Sequence, residues 1–521
     1  MQPIDHRERI ALIAATRRWQ EMGGSTKVCA CNAYAGVQGS HEAATGQRWS
    51  FMLPGALVFL IAINLSPFGP TLRAQNRSNG AVENQPHISQ AVGSSSSDSA
   101  TTIAGQTSAS SGVSDRDSSE HLSVAYSEFD PGRGYQVAKA PIGDLWISGY
   151  VVWRYINQLP AKQSFTDHLG RKFAIDTRND LQWHRIMVHF RGFAFSPKLT
   201  YVLTVWNVLS TLDMYIIGSL TYSFHRSFNL SVGVEGVPGT RSLLGSHPLW
   251  LANDRVMADD FIRPGFTSGI SANGEVFSGF FYKVGLYNNL SQIGLKASQL
   301  TRDLAVGGTL WWMPTTGEFG PRGAYGDWES HEKLATRFGV CVAGMHNEDR
   351  YNAVTTPSPG STQIRLADSR LLFETGALAD SVTVLSAAYR ILSFDAGFKY
   401  LGFFFQTEFS TRWLNNFQAN GPLPVASIVD RTFYIQMAFF PIPKTLELYA
   451  ATSHVFGDTQ AGFWHSYEYL GGMNFYPFDQ RYFRVNAQVI SVTRSPTSSV
   501  FGFYVGGQTG TTISLATSLF F

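Results

Sequence analysis

The sequence predicts an all-β protein, a transmembrane antiparallel β-barrel of about 16 strands. Three observations carry that expectation. From Asp144 onward, segments of eight to fourteen residues alternate with period two and are separated by turn signals. Charged residues make up 15% of the chain, against roughly 25% in ordinary soluble domains, while aromatics reach 14%. The segment Thr511 to Phe521 places Ile513, Leu515, Leu519 and Phe521 on one face and Ser514, Ala516 and Ser518 on the other.

The remaining composition excludes other classes. Mean hydropathy is −0.06, too low for a bundle of membrane helices. Net charge is +2, so no global field argues for nucleic acid as a partner. Of the 3 cysteines, Cys29 and Cys31 lie upstream of an apolar export segment and Cys341 stands alone, so no disulfide framework is expected. The Cys-x-Cys pair has no His/Cys cluster beside it, and no metal site is expected.

Four regions divide the chain. Residues 1–51 form an extension with no assignable fold. Residues 52–74 read as a signal peptide: an apolar run from Leu53 to Leu65, then Leu72-Arg73-Ala74 before Gln75. About fifty residues precede it, so translation is expected to begin near Met52. Residues 75–128 are rich in Ser and Gly and are expected to be disordered, because they bury too little apolar surface to offset ordering entropy. Residues 129–521 form the barrel.

The strands follow in order. Leu145–Tyr155 opens the series. Leu181–Phe193 places Ile186, Val188 and Phe190 opposite Arg185, His189 and Arg191. Ser196-Pro197-Lys198 is expected to turn the chain into Leu199–Leu209. Ile216–Phe224 and Phe228–Glu235 join at His225-Arg226-Ser227. Asn273-Gly274 is read as the hairpin turn between Ser268–Ala272 and Phe277–Tyr287. Leu401-Gly402 joins Phe394–Tyr400 to Phe403–Trp413, and Pro441–Lys444 joins Phe433–Phe440 to Thr445–Thr452. Phe483, Val485, Ala487 and Val489 alternate with Arg484, Asn486 and Gln488. Tight turns on one rim contrast with long polar loops on the other, such as Gly239–Phe266 and Met345–Ser361. Aromatics near strand ends (Trp146, Trp153, Trp311, Trp312, Trp413) fit interfacial girdles.

In lipid, strands span only as a closed sheet, since every backbone polar group needs a partner within the protein. About fourteen to sixteen strands leave room for an aqueous lumen. The inward parity carries Arg, Lys, Gln, Glu and Asn. Charges facing a dry core are costly, so the inner face is expected to be wet.

The sequence resembles the phosphate-selective porin O/P family of bacterial outer-membrane porins over roughly Phe129 to Phe521. The resemblance rests on Phe129–Gly134 (FDPGRG), on SVGVEGVPG with the long loop carrying Asp254-Arg255, on Val284–Asn289 (VGLYNN), and on Leu304–Pro314 (LAVGGTLWWMP). The terminal strand is similar to the signal by which outer-membrane proteins are recognised for assembly. The resemblance implies a barrel of about 16 strands, a homotrimer, and a third loop that narrows the lumen. That loop is Gly239–Phe266, and Arg241, Arg255 and Arg263 are its implied constriction residues. Arg185, Arg191, Lys283, Arg412 and Arg484 are the pore-wall candidates of inward parity. Guanidinium forks suit anions such as phosphate.

The same loop also holds Asp254, Asp259 and Asp260, and Glu408 lies beside Arg412. Three readings therefore stay open on selectivity: phosphate, a general diffusion pore with mild anion preference, or a pore for another small solute. The expected function is passive diffusion of small, anionic solutes across the bacterial outer membrane. The implied partners are the lipid bilayer, those solutes, and the barrel assembly machinery acting through the strand ending in Phe521. An adhesin or structural barrel with a plugged lumen is the alternative, and a secreted soluble β-protein a third. No catalytic residue or cofactor is expected: no P-loop, dinucleotide fingerprint or nucleophile elbow occurs, and His331-Glu332 lacks the second His of a zinc-protease motif.

Overall fold

The computed structural model describes residues 134–521, apart from 209–212, 245–247, 291–302, 321–322, 350–363 and 499–501. The expected extension, signal peptide and Ser/Gly-rich segment lie outside the described residues, as do Cys29, Cys31 and the 129–133 part of the lead-in.

The described residues form nineteen strands: β1 (Tyr135–Ala140), β2 (Gly143–Leu159), β3 (Lys162–Thr166), β4 (Lys172–Asp176), β5 (Asn179–Ala194), β6 (Ser196–Val208), β7 (Asp213–His225), β8 (Phe228–Gly236), β9 (Phe266–Phe277), β10 (Phe280–Tyr287), β11 (Ala305–Trp312), β12 (Ala335–Asp349), β13 (Val384–Tyr400), β14 (Phe403–Ala419), β15 (Ser427–Ile442), β16 (Leu446–Phe456), β17 (His465–Phe475), β18 (Phe483–Thr493) and β19 (Gly510–Phe520). Sixteen of them, β2 and β5 to β19, pair antiparallel in sequence order, and β19 pairs back onto β2. The sheet is a closed sixteen-strand barrel. β1 lies along β2, and β3–β4 form a separate hairpin in the β2–β5 connection.

Closure runs from Thr511↔Leu159 to Phe520↔Tyr150. Phe521 extends it: its N–H donates to the Gly149 carbonyl and its own carbonyl accepts from the Gly149 N–H, both at 3.1 Å. A Cβ on Gly149 would sit 2.7 Å from the Phe521 ring, so glycine leaves room for that ring at the seam.

Side-chain parity follows the expected alternation. In β14, Gln406, Glu408, Ser410 and Arg412 point in and are buried, while Phe405, Thr407, Phe409 and Trp413 point out. Outward positions all around the wall are exposed and apolar, including Leu181, Ile216, Leu220, Val306, Val342, Phe394 and Leu448. A soluble sheet would cover such a surface; a lipid-facing one does not need to. One local feature breaks the phase. The β2–β5 register slips between Val152 and Trp153, so His184 and Arg185 are both buried. Leu181 and Trp183 then face outward before the bulge, and Ile186 and Val188 after it.

Two turn expectations need correction. Asn273-Gly274 is not a hairpin turn; it lies inside β9, and the turn is Ser278-Gly279, where Gly279 has φ +77°. Gly274 serves a different purpose. A Cβ there would meet the Ser227 carbonyl at 2.2 Å, so the glycine lets β9 pass the β7–β8 turn closely. The turn placed at Ser196-Pro197-Lys198 is centred on Phe195 (φ +64°), and β6 already starts at Ser196.

The rims differ as expected, with one exception. Phe195, Arg226-Ser227, Ser278-Gly279, Leu401-Gly402 and Pro443–Thr445 make tight connections on the rim that holds Phe521, here called the near rim. The β11–β12 connection, 313–334, lies on that same rim and is long. It folds inward.

Candidate functional site in the barrel lumen

β8 ends at Gly236, where Val237-Pro238-Gly239 breaks the strand, and the chain does not rejoin the wall until Phe266. The 237–265 segment contains a short helix, α1 (Met257–Ile262). This helix is too short to be stable alone. Its ends are satisfied by the barrel. The Met257 N–H donates to Glu468 Oε2 of β17 (2.9 Å) and the Ala258 N–H to Ser453 Oγ of β16 (3.2 Å). At the other end, Arg412 Nη1 donates to the Phe261 carbonyl (3.3 Å) and the Tyr389 hydroxyl to the Ile262 carbonyl (2.7 Å). Helix termini leave unpaired N–H and C=O groups, and wall side chains fill that need here. The segment leaves the wall at β8 and touches β13 to β18, so it crosses the lumen.

The structure brings Arg241, Arg255 and Arg263 and the wall residues Arg185, Arg412 and Arg484 to this crossing, with partners; Lys283 and Arg191 lie elsewhere on the wall. Arg241 donates its N–H to Glu408 Oε1 (3.1 Å) and Nη2 to the Gly323 carbonyl (3.0 Å), and its guanidinium lies 4.6 Å from the Tyr325 ring centre. Arg255 Nε lies 3.1 Å from Ser242 Oγ and 3.4 Å from Asp259 Oδ2, and stacks over Trp250 at 4.3 Å. Arg263 Nη2 is 3.5 Å from Asp260 Oδ1. On the wall, Arg185 holds Asp254 (3.1 Å), Lys283 holds Glu235 (2.6 Å) and Arg412 holds Asp430 (2.7 Å). Arg484 Nη1 donates to the Trp250 carbonyl (2.6 Å) and Nη2 to Asn253 Oδ1 (3.1 Å). Arg191 has the expected inward parity on β5 and lies towards the near rim.

The inner face is not wet at most of these positions, contrary to expectation. Arg185, Lys283, Arg412 and Arg484 are each buried to 5% exposure or less. Their charge is tolerated because every one meets an acid or a carbonyl, and a buried pair costs far less than a buried lone ion. Between these polar anchors lies an apolar cluster built from wall and crossing segments, including Trp250, Met257, Phe261, Phe319, Leu366, Phe503 and Tyr504. Sequence alternation found the inward arginines. It did not find that loop residues would cover them, nor Asp430 as the counterpart of Arg412, nor Glu468 as the acceptor at the helix N-terminus, although both acids have inward parity.

Asp254 shows how the electrostatics balance. Burial works against its charge, yet Arg185, His184 and Arg255 hold its carboxyl well below the usual carboxylate range.

From the near rim, 313–334 reaches the same zone. Its Tyr325 N–H donates to the Leu249 carbonyl (2.9 Å), and Phe319 packs against Phe404. A charged latch holds its base. His331 Nδ1 bonds Asp327 Oδ1, its Nε2 lies 2.8 Å from Glu318 Oε1, and Asp327 Oδ2 accepts from the Gly402 N–H (2.8 Å). Arg481 closes on Glu329 at 2.9 Å. Asp327, Glu329 and His331 bring ligand atoms within 4.8 Å of one another. Both His331 nitrogens and Glu329 are engaged by these partners, so the group forms an ion-pair latch.

No family model matches the chain, and no curated protein matches it. Solved structures similar to it include an anion-selective porin from Comamonas acidovorans (12% identity, 73% of this chain and 100% of that chain, TM-score 0.44). OmpF of Salmonella typhi in complex with daunomycin is similar at 9% identity, covering 74% of this chain and 100% of that chain, TM-score 0.43. The outer-membrane channel DcaP of Acinetobacter baumannii is similar at 12% identity, covering 75% and 100%, TM-score 0.39. The assignment to closed sixteen-strand barrels stands on this chain's own strand register.

Proposed function

We propose that this chain is an outer-membrane diffusion channel, a porin-type barrel that passes small polar solutes through a lumen narrowed from both rims. The crossing of the 237–265 segment carries the reading. A sixteen-strand wall encloses more space than side chains alone fill, and a segment anchored across it by Arg185, Arg412 and Arg484 restricts that space by size. The apolar outward faces suit a bilayer.

The proposal includes a mild anion preference. Arg241, Arg255 and Arg263 supply positive groups at the crossing, and Arg185, Arg191, Lys283, Arg412 and Arg484 supply them along the wall. Asp254, Asp259 and Asp260 balance the loop arginines, so phosphate is one solute to compare and not an assumed specificity. Assembly as a homotrimer, delivered through the strand ending in Phe521, belongs to the same proposal. Purified protein in planar bilayers should give stepwise conductance, and reversal potentials in a chloride gradient should lean towards anions. Arg255→Ala or Arg263→Ala should reduce that lean; an unchanged reversal potential removes these residues from the constriction.

A second reading is a barrel whose lumen is plugged. The complete burial of Arg154 and Lys399 on the inner face favours it. Absence of any conductance from well-folded protein would decide for this reading.

A further inference from the structure

We propose that the rim opposite Phe521 carries a binding site for a small hydroxylated carboxylate, of the size and chemistry of a sugar acid. The proposal goes beyond the channel reading and does not rest on it.

Three connections that meet beside the β19–β2 seam, together with the inward-folded 364–383 stretch, enclose a cavity of about 260 Å³. That is slightly below the ~300–1,000 Å³ of drug-sized pockets, so its occupant is small. The β3–β4 hairpin supplies Ser164, Phe165 and Thr166. The β16–β17 connection supplies Trp464, and the β18–β19 connection supplies Arg494 and Thr509.

Arg494 is the recognition element. Its guanidinium lies 5.2 Å from the Trp464 ring centre, and among the described residues no acid forms an ion pair with it. Arg185, Lys283, Arg412 and Arg484 are held by acids or carbonyls, whereas Arg494 lines this cavity without an acid partner. A planar fork matches the two oxygens of a carboxylate. The one acid in the lining, Asp368, is occupied: its Oδ2 lies 2.6 Å from His168 Nδ1 and its Oδ1 accepts from the Arg370 N–H (3.1 Å).

The site is held in place before any ligand arrives. Arg494 sits at φ +54°, a conformation that non-glycine residues adopt at a cost, and its backbone is clamped on both sides. Its N–H donates to Thr509 Oγ1 (3.0 Å) and its carbonyl accepts from Ser466 Oγ (2.5 Å). The Thr509 N–H donates to Gln163 Oε1 (2.9 Å), tying the hairpin to the β18–β19 connection. Phe165 stacks on Phe173 and lies flat against Gly507; a Cβ on Gly507 (φ +78°) would meet the Phe165 ring at 2.3 Å. The Trp464 ring, a guanidinium without an acid partner and the polar lining of Ser164, Thr166, Ser495 and Thr509 thus bound one small space. The Trp464 ring suits the C–H surface of a sugar ring, the polar lining its hydroxyls, and the guanidinium its carboxylate.

The test is calorimetric binding of glucuronate to the full chain folded in detergent, with glucose and acetate as comparison probes. Conductance plays no part, so a plugged lumen leaves the result readable. Glucuronate should bind more tightly than either comparison probe. Arg494→Gln should weaken it about tenfold or more while leaving thermal unfolding unchanged, because Arg494 is exposed and bonds no structural acid. Trp464→Phe, which keeps a ring beneath the guanidinium, should bind with smaller loss. Equal affinity for glucose and glucuronate, absence of glucuronate binding, or full affinity in Arg494→Gln overturns the proposal.

Discussion

Arg412 on β14 and Asp430 on β15 meet at 2.7 Å with both side chains at 1% exposure or less, and the same guanidinium reaches the Phe261 and Arg365 carbonyls. One wall residue therefore joins two strands to both inward-folded segments from the opposite rim. Asp430→Asn should destabilise the barrel by ~3–5 kcal/mol, since it leaves a buried guanidinium without its counterion. Replacing both partners by apolar residues of similar volume should recover much of that loss. Denaturant titration of protein in lipid vesicles measures both; equal stability of Asp430→Asn and the parent would show that the backbone carbonyls suffice.

Asp254 ties the crossing segment to β5 through Arg185 and His184. Asp254→Asn removes the negative member of this pair and leaves the Arg185 charge in place. Reversal potentials should move towards anions in this variant, because loss of a negative charge beside an arginine biases a pore that way. An unchanged reversal potential would mean that the Arg185–Asp254 pair does not face the permeation path.

The His331 latch makes the near rim pH-sensitive. Its bonds to Asp327 and Glu318 push the imidazole up to about 9, from an ordinary value of 6.5. The folded value is raised, so this stabilisation is complete below pH ~6.5 and is lost as pH rises through about 9. Burial opposes the charges of Asp327 and Glu318, but their bonds to His331 leave both below the ordinary carboxylate range. Their contribution is present above pH ~4 and is lost as pH falls through the lowered values. Protease cleavage within 313–334 should accelerate between pH 7 and 10 in the parent. In His331→Gln it should be fast throughout that interval, and identical profiles would remove the latch.

Val342 lies mid-strand on β12 with 47% of its surface exposed. Val342→Arg should cost ~2–4 kcal/mol in lipid vesicles, the price of an arginine near the bilayer midplane. An effect within ~0.5 kcal/mol, as at ordinary solvent-exposed sites, would contradict a lipid-facing wall.

Much of the wall was legible because parity is a local property. Gln406, Glu408, Ser410 and Arg412 face inward for a reason contained within one strand: the backbone turns each side chain to the opposite face of the last. The β5 bulge at His184 was hidden, since an extra residue in a strand leaves the composition unchanged and shows only in the partner's register. Asn273-Gly274 misled for a related reason. The dipeptide suits a turn, but at that position the glycine answers to the neighbouring Ser227 carbonyl, which local sequence does not record.

The 313–334 segment was not anticipated as an inward fold. Its length on the tight-turn rim follows from the strand boundaries, whereas its direction depends on anchors in three other connections: Leu249, Gly402 and Arg481. The site residues divide in the same way. Arg185 and Arg484 were identifiable as inward, but their occupancy by Asp254 and by the Trp250 carbonyl was not.

By itself the chain determined that alternate side chains sort into an oily outer set and a polar inner set, and that such a sheet must close on itself in lipid. Only the tertiary structure decided what the polar set meets. Asp254 lies 69 residues from Arg185 in sequence, and the Trp250 carbonyl 234 from Arg484. Which residues neutralise a charge inside a barrel is set by where distant segments come to rest across it, and strand periodicity carries no information over such separations.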